Sequence, residues 1–239
     1  KTLSGALVAG QMTLAIILLC GTGVLLRSFS NVVGADVGVE APEDVLIGFV
    51  DLPNSDYQTP ESQASFFDAL QARLLTVPGV ESASISNSRP VNNMFARRLE
   101  VEASAGGTLG PEALSILTAG AGYFRTIGAT TLTGREFDSG DHMAAPLVAI
   151  VNDAFVERFS PADAPIGKRL RYYEGDEPGE WRTIVGVVSN IMQSDPTRQR
   201  FLPLVYLPFA QSPWPDAWFF ARTRAPTNEV AAAVGAEVQ

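Results

Sequence analysis

The chain has 239 residues, 46% hydrophobic and 18% charged, with 17 basic and 26 acidic side chains for a net charge of −9. One cysteine and one histidine rule out an internal disulfide framework and argue against a Cys/His zinc site. The acidic balance argues against a nucleic-acid footprint, and the apolar content is too high for disorder.

Residues 3–26, 24 in all, carry no charge, with Lys1 before them and Arg27 after. As a helix they span about 36 Å, enough for a bilayer core of about 30 Å. A signal peptide has a shorter apolar region, about 7–15 residues, ending in a small-residue cleavage site. Here the run continues into LLRSF. It also exceeds the usual helix of a soluble core. Residues 1–30 are therefore predicted to be an uncleaved transmembrane helix. Within it Ala6 and Gly10 have the spacing of small residues that let helices approach, Gln11 is expected to face another helix, and Cys20 serves as a small apolar residue. Lys1 and Arg27 take two of the 17 basic residues, so the rest holds 15 against all 26 acidic ones, net −11. The span thus leads into an acidic domain. The sequence starts without Met, which suggests that residue 1 is a cut point in a longer protein.

Residues 45–52 (VLIGFVDL) predict a strand, apolar on both faces and so expected at the centre of a sheet. Thr59-Pro60-Glu61 has the chemistry of a helix start, and Phe67, Leu70, Leu74 and Val77 follow on one helical face until Pro78-Gly79. Residues 80–86 give a second, weaker strand, making a βαβ-like unit. Residues 99–102 alternate as a half-exposed strand, and residues 103–111 are expected to form a Gly-rich loop. Residues 147–151 predict a buried strand, with Asn152 capping a helix to about Phe159 and Asp153 at its positive end. Residues 183–189, 204–209 and 217–223 predict strands, and residues 228–238 a helix. The fold class is α/β with mixed sheets.

Catalytic motifs are lacking. There is no G-x-x-x-x-G-K-[ST], G-x-S-x-G, H-E-x-x-H or C-x-x-C. Ser139, Asp141 and His142 lie side by side in one loop, whereas triad members converge from separate elements. The acidic run from Glu174 to Glu180 offers oxygen ligands without EF-hand spacing and reads as a solvated turn. Glu100 and Glu102 share a strand face as ordinary edge carboxylates. Trp214, Trp218, Phe219 and Phe220 read as core, with an interface or membrane-proximal belt as the other possibility. No catalytic, cofactor-binding or metal-binding residue is assigned. Gly122, Gly128, Gly134 and Gly167 are expected in turns with unusual backbone angles.

Several strings in order carry a family resemblance: VAGQMTLAIILLCGTGVLLRSF; Pro78-Gly79-Val80-Glu81-Ser82-Ala83; Gly122-Tyr123-Phe124-Arg125-Thr126-Ile127-Gly128 with Leu132-Thr133-Gly134-Arg135-Glu136-Phe137; Ile150-Val151-Asn152-Asp153-Ala154-Phe155 with Pro165-Ile166-Gly167-Lys168-Arg169-Leu170; and Ile184-Val185-Gly186-Val187-Val188 with Val205-Tyr206-Leu207-Pro208. Together they resemble the periplasmic core domain of MacB/FtsX-like ABC transporter permeases, closest to the second half of the duplicated acidobacterial type.

The resemblance implies a first helix leading into an extracytoplasmic domain at 31–239. A porter-like subdomain (44–90 with 183–239) would hold an inserted subdomain (91–182), and three further transmembrane helices would follow. It implies a non-enzymatic fragment of a permease in the bacterial inner membrane, with residues after about 30 in the periplasm. That part would couple ATP hydrolysis on a separate cytoplasmic ABC ATPase subunit to motion outside, in export or mechanotransmission. Further implied partners are a second permease half or protomer, a periplasmic adaptor and membrane lipid, with no nucleic acid. The alternative is the extracytoplasmic ligand-sensing domain of a membrane signalling receptor.

Overall fold

The computed structural model describes residues 2–33, 38–53, 55–90, 95–103, 106–161, 163–192, 201–224 and 226–238. Helix α1 (Thr2–Val33) belongs to one compact unit and the α/β body that follows forms another.

Helix α1 is continuous, and its Gly10–Ser30 stretch, with mean hydropathy 1.9, is long and apolar enough to cross a membrane. Its large side chains are uncovered, Leu19 at 75% and Leu25 at 71% exposure. A solvent that welcomes such a surface is lipid. The Thr22 hydroxyl donates to the Leu18 carbonyl at 2.8 Å. That bond satisfies it within the helix, as a hydrocarbon surrounding requires.

The body is built on strands β1 (Val45–Asp51), β2 (Val80–Ser86), β3 (Phe95–Glu102), β4 (Thr108–Ala119), β5 (Thr131–Gly134), β6 (Val148–Asn152), β7 (Arg169–Glu174), β8 (Glu177–Pro178), β9 (Arg182–Val188), β10 (Leu204–Pro208) and β11 (Asp216–Thr223). Helices α2 (Pro60–Leu74), α3 (Tyr123–Ile127), α4 (Asp153–Phe159) and α5 (Thr227–Val238) pack on them.

Six strands close on themselves in the order β3–β4–β10–β6–β9–β7–β3. The pairs β4–β10 and β6–β9 are parallel and the other four antiparallel. A closed ring leaves none of these strands with an open edge along the paired stretch. Alternate side chains fill its interior, among them Leu99, Ile116, Val151, Leu170, Ile184 and Val205. Helix α4 follows β6 directly and plugs one end of the ring with Phe155, which is fully buried.

The last residue of β4 also pairs with β2, at Ser86–Ala119. From there an antiparallel layer runs β2–β11–β1. Strands β1 and β2 flank β11, so they run parallel without touching, and α2 joins them as a split βαβ unit. The start of α2 is the predicted one. Ser62 N–H donates to Thr59 Oγ1 at 3.2 Å and Thr59 N–H to Ser62 Oγ at 3.3 Å, a reciprocal capping box with Pro60 in the first turn. Helices α2 and α5 cover one face of the layer through Phe67, Leu70, Leu74, Val230 and Val234. Helix α3 covers much of the other through Tyr123, Phe124 and Ile127.

Two expectations are corrected. Strand β1 is an edge strand, with Ile47 at 45% and Phe49 at 48% exposure. An apolar run records what lies above and below a strand and says nothing about its neighbours within the sheet. The Gly-rich loop is shorter than residues 103–111, because β4 starts at Thr108 and contains Gly110 and Pro111. A register shift in β3 between Leu99 and Val101 lets the partner strand accommodate this stretch. Strand β2 occupies the predicted residues, Val80–Ser86, and is buried from Ser82 to Ser86. Its serines lie under α3, where small side chains permit close approach. Strands β9 and β10 are ring strands with β3, β4, β6 and β7.

Candidate functional site

The candidates raised by the sequence fall into separate places. Ser139, Asp141 and His142 sit in the loop after β5. The carboxylate of Asp141 is turned to Arg135, which donates through both terminal nitrogens at 2.7 Å. Asp138 N–H also donates to it at 3.0 Å. Burial pushes the Asp141 carboxyl up, the Arg135 bonds and the Asp138 amide pull it down, and the net shift is below the usual carboxylate range. His142 is exposed, and its Nδ1 accepts from Ala144 N–H at 3.3 Å. The aspartate therefore spends its hydrogen bonds on an arginine and a backbone amide, where a triad would have it orient the imidazole.

Glu100 and Glu102 belong to a ladder across the outer face of β3 and β7. Arg98 pairs with Asp176 at 2.9 Å, Glu100 with Arg171 at 2.7 Å and Glu102 with Arg169 at 2.7 Å. Arg171 and Arg169 lie over the Trp181 ring, 4.5 and 5.4 Å from its centroid. Glu100 is buried and accepts from Thr108 Oγ1 at 2.8 Å and Tyr173 OH at 3.2 Å. The Thr108 hydroxyl and the Arg171 guanidinium hold its carboxyl below the ordinary range. A carboxylate so fixed in its ionised form is a staple between strands and a poor proton shuttle. Asp176, in the acidic run from Glu174 to Glu180, is at the turn of the β7–β8 hairpin. Among the described residues no group of His, Cys, Asp and Glu is arranged to hold a metal ion.

The aromatic group divides. Phe219 and Phe220 are buried on opposite faces of β11. Trp218 is half-buried beside Phe49, centroids 5.0 Å apart, with the Arg89 guanidinium 5.1 Å from its ring. Trp214 borders a cleft of about 470 Å³ at the end of the ring opposite α4, between that end and the start of α2. A second cleft, about 330 Å³, lies between α2 and the loop that carries His142. Asp68 on its α2 wall has its carboxyl raised by burial.

Sequence patterns missed two buried polar centres. Asn152 was expected only as a helix cap. Its Oδ1 accepts from Phe155 N–H at 3.1 Å and from Leu204 N–H at 2.9 Å. Its Nδ2 donates to Asn190 Oδ1 and the Leu202 carbonyl, both at 2.8 Å. One side chain thus ties α4, β10 and the segment after β9 to β6. The other centre is Arg182, 5% exposed at the open end of the ring. Nothing in TIVGVV marks the preceding arginine as inward-facing.

A family model described as the MacB-like periplasmic core domain matches residues 6–239. The chain belongs to that family. Among solved structures, the periplasmic region of MacB from Actinobacillus actinomycetemcomitans is similar with a TM-score of 0.54, 10% identity and 82% of each chain covered. The extracellular domain of the noncanonic ABC-type transporter YknZ from Gram-positive bacteria follows at 0.49, with 16% identity, 81% of this chain and 90% of that chain covered. No curated protein sequence matches significantly.

As a MacB-like periplasmic core domain, the chain uses its family-like strings as scaffold. Gly122 and Gly128 flank helix α3 in left-handed conformations. Gly134 has φ +77°, and a Cβ there would stand 2.1 Å from the Val185 carbonyl oxygen. That glycine lets the turn after β5 lie directly on β9, which sets Arg135 in place to hold Asp141.

Proposed function

We propose that this chain is the extracytoplasmic part of an ABC transporter permease, anchored in the bacterial inner membrane by α1, with residues after about 30 in the periplasm. It carries no chemistry of its own. ATP hydrolysis on a separate cytoplasmic ATPase subunit moves the membrane helices, and this domain turns that motion into a change of arrangement outside, in export or mechanotransmission. The observation that carries this reading is the family match from residue 6 onward, which takes in a membrane-length helix and the α/β body together. The ring and its Arg–carboxylate ladder suit a part that moves as a body. We further propose a porter-like part and a second part for the domain, a second permease half or protomer beside it, and lipid around α1. A periplasmic adaptor is a further partner of this reading.

The test is a distance measurement in the assembled permease. Cys20→Ala removes the native thiol and Asp176→Cys places a spin label on each copy. The distance between labels should shift with ATP and vanadate and return with ADP. A distance indifferent to nucleotide would sink the coupling role. A distance that answers only to an added small molecule would favour the ligand-sensing receptor domain.

A further inference from the structure

The two ends of the six-stranded ring differ. Helix α4 stoppers one with Phe155, and the other opens into the cleft of about 470 Å³, a volume within the range of small-molecule sites, roughly 300–1,000 Å³. Strand alternation decides what faces inward there. Leu99, Ile116, Leu170 and Ile184 point into the ring. Two residues further toward the open end, on the same faces, stand Arg97, Thr118, Tyr172 and Arg182. The last inward layer is therefore rich in donors where the layers below are aliphatic.

Arg182 decides the chemistry. Its guanidinium lies against Tyr172, 5.5 Å from the ring centroid. Among the described residues its polar partners are Gln211 Oε1 and Ser212 Oγ, both at 3.4 Å, and no carboxylate comes within ion-pair distance. Its Nε is buried with no partner among the described residues. A guanidinium has five donors, and bonds at the limit of the allowed distance compensate little of the cost of burying its charge. Tyr172, Gln211 and Ser212 all line the cleft, so a ligand there reaches the groups that hold Arg182. Thr118 lines the same wall, and its hydroxyl is also buried and without a partner among the described residues. Arg97 stands exposed at the rim. Leu207 and Trp214 supply apolar wall, while Glu61 and Glu174 at the rim disfavour multiply charged anions.

We propose that the open end of the ring binds a monoanionic amphiphile, its carboxylate directed to Arg97, Thr118 and the Gln211 and Ser212 side chains that hold Arg182, and its apolar body against Leu207 and Trp214. The inference rests on the ring's geometry and is independent of nucleotide coupling.

Isothermal titration of the whole chain in lipid nanodiscs tests it with 4-phenylbutyrate, its neutral isostere 4-phenylbutanamide and inorganic phosphate. The acid should bind at least about tenfold more tightly than the amide, the size of effect expected of a charge-assisted bond, and phosphate alone should not register. Arg182→Gln should bring the acid down toward the level of the amide. Arg97→Gln, an exposed change that leaves the fold intact, should weaken the acid several-fold and the amide not at all. Equal affinity for acid and amide overturns the proposal, as does no binding of either. Should Arg182→Gln fail to melt cooperatively, the acid–amide ratio and Arg97→Gln decide: an unchanged acid affinity in Arg97→Gln also overturns it.

Discussion

At the scale of single residues, the body is held by polar groups that work against burial. Asp141 is 4% exposed, and Arg135, with its side chain 44% exposed, neutralises it from the wetter side. Asp141→Asn keeps the shape and removes the charge, so Arg135 loses its two-pronged carboxylate partner and keeps the Glu136 carbonyl at 2.9 Å. The expected loss is about 1–3 kcal/mol, less than for a fully buried pair because water still reaches the arginine. The sign of the pH effect follows from the direction of the shift. The folded-state pKa of Asp141 is below the ordinary 3.8, so the pair's contribution is complete above that value and is lost as pH falls through the folded one. Urea unfolding should therefore show the penalty of Asp141→Asn at pH 7 and a shrinking penalty near pH 3. A second residue test is Gly134→Ala. With φ +77° and the Val185 oxygen 2.1 Å from the new Cβ, backbone strain and steric displacement add, and a loss of at least about 1–3 kcal/mol is expected in the same assay.

Elements show which patterns carry to structure. The 3.6-residue spacing of Phe67, Leu70 and Leu74 returned α2 with its cap, because an amphipathic helix needs only one apolar neighbour to be specified. Strands β6, β9, β10 and β11 were legible for the similar reason that continuous apolar runs require cover on both faces. Strand β4 was not, since Gly110 and Pro111 read as loop chemistry and only a partner with a register shift makes them strand. Helix α4 is the element on which the ring depends. Phe155→Ala would leave a void at the plugged end, where the surrounding strands are closed and cannot collapse inward. A destabilisation of about 3–5 kcal/mol is expected by chemical denaturation. Phe155→Leu, which fills most of the space, should lose much less; equal losses would show that α4 is no plug.

For the whole molecule, the decisive division is between a helix made for lipid and a body made for water. Two arginines in place of Leu18 and Leu19 would put two charges near the middle of the Gly10–Ser30 span, each opposed by about 2.5–3.5 kcal/mol at a helix centre. The native chain should stay in the pellet after alkaline carbonate extraction, and the doubly substituted chain should move to the supernatant. Retention of both would mean that the body, and not α1, holds the chain to the membrane.

The sequence by itself determined the membrane-length helix, the α/β class, the helix caps and the absence of familiar catalytic motifs, since each depends on composition or on short-range periodicity. The family was legible too, because it resides in ordered strings whose glycines and apolar residues meet local demands of turn and core. Tertiary structure alone decided that β1 is an edge, that β9 and β10 close a ring with strands from 95–174, and that Arg182 faces the open end of that ring. These facts depend on which strand lies beside which. A period of two records the faces of a strand and carries no information about its partners.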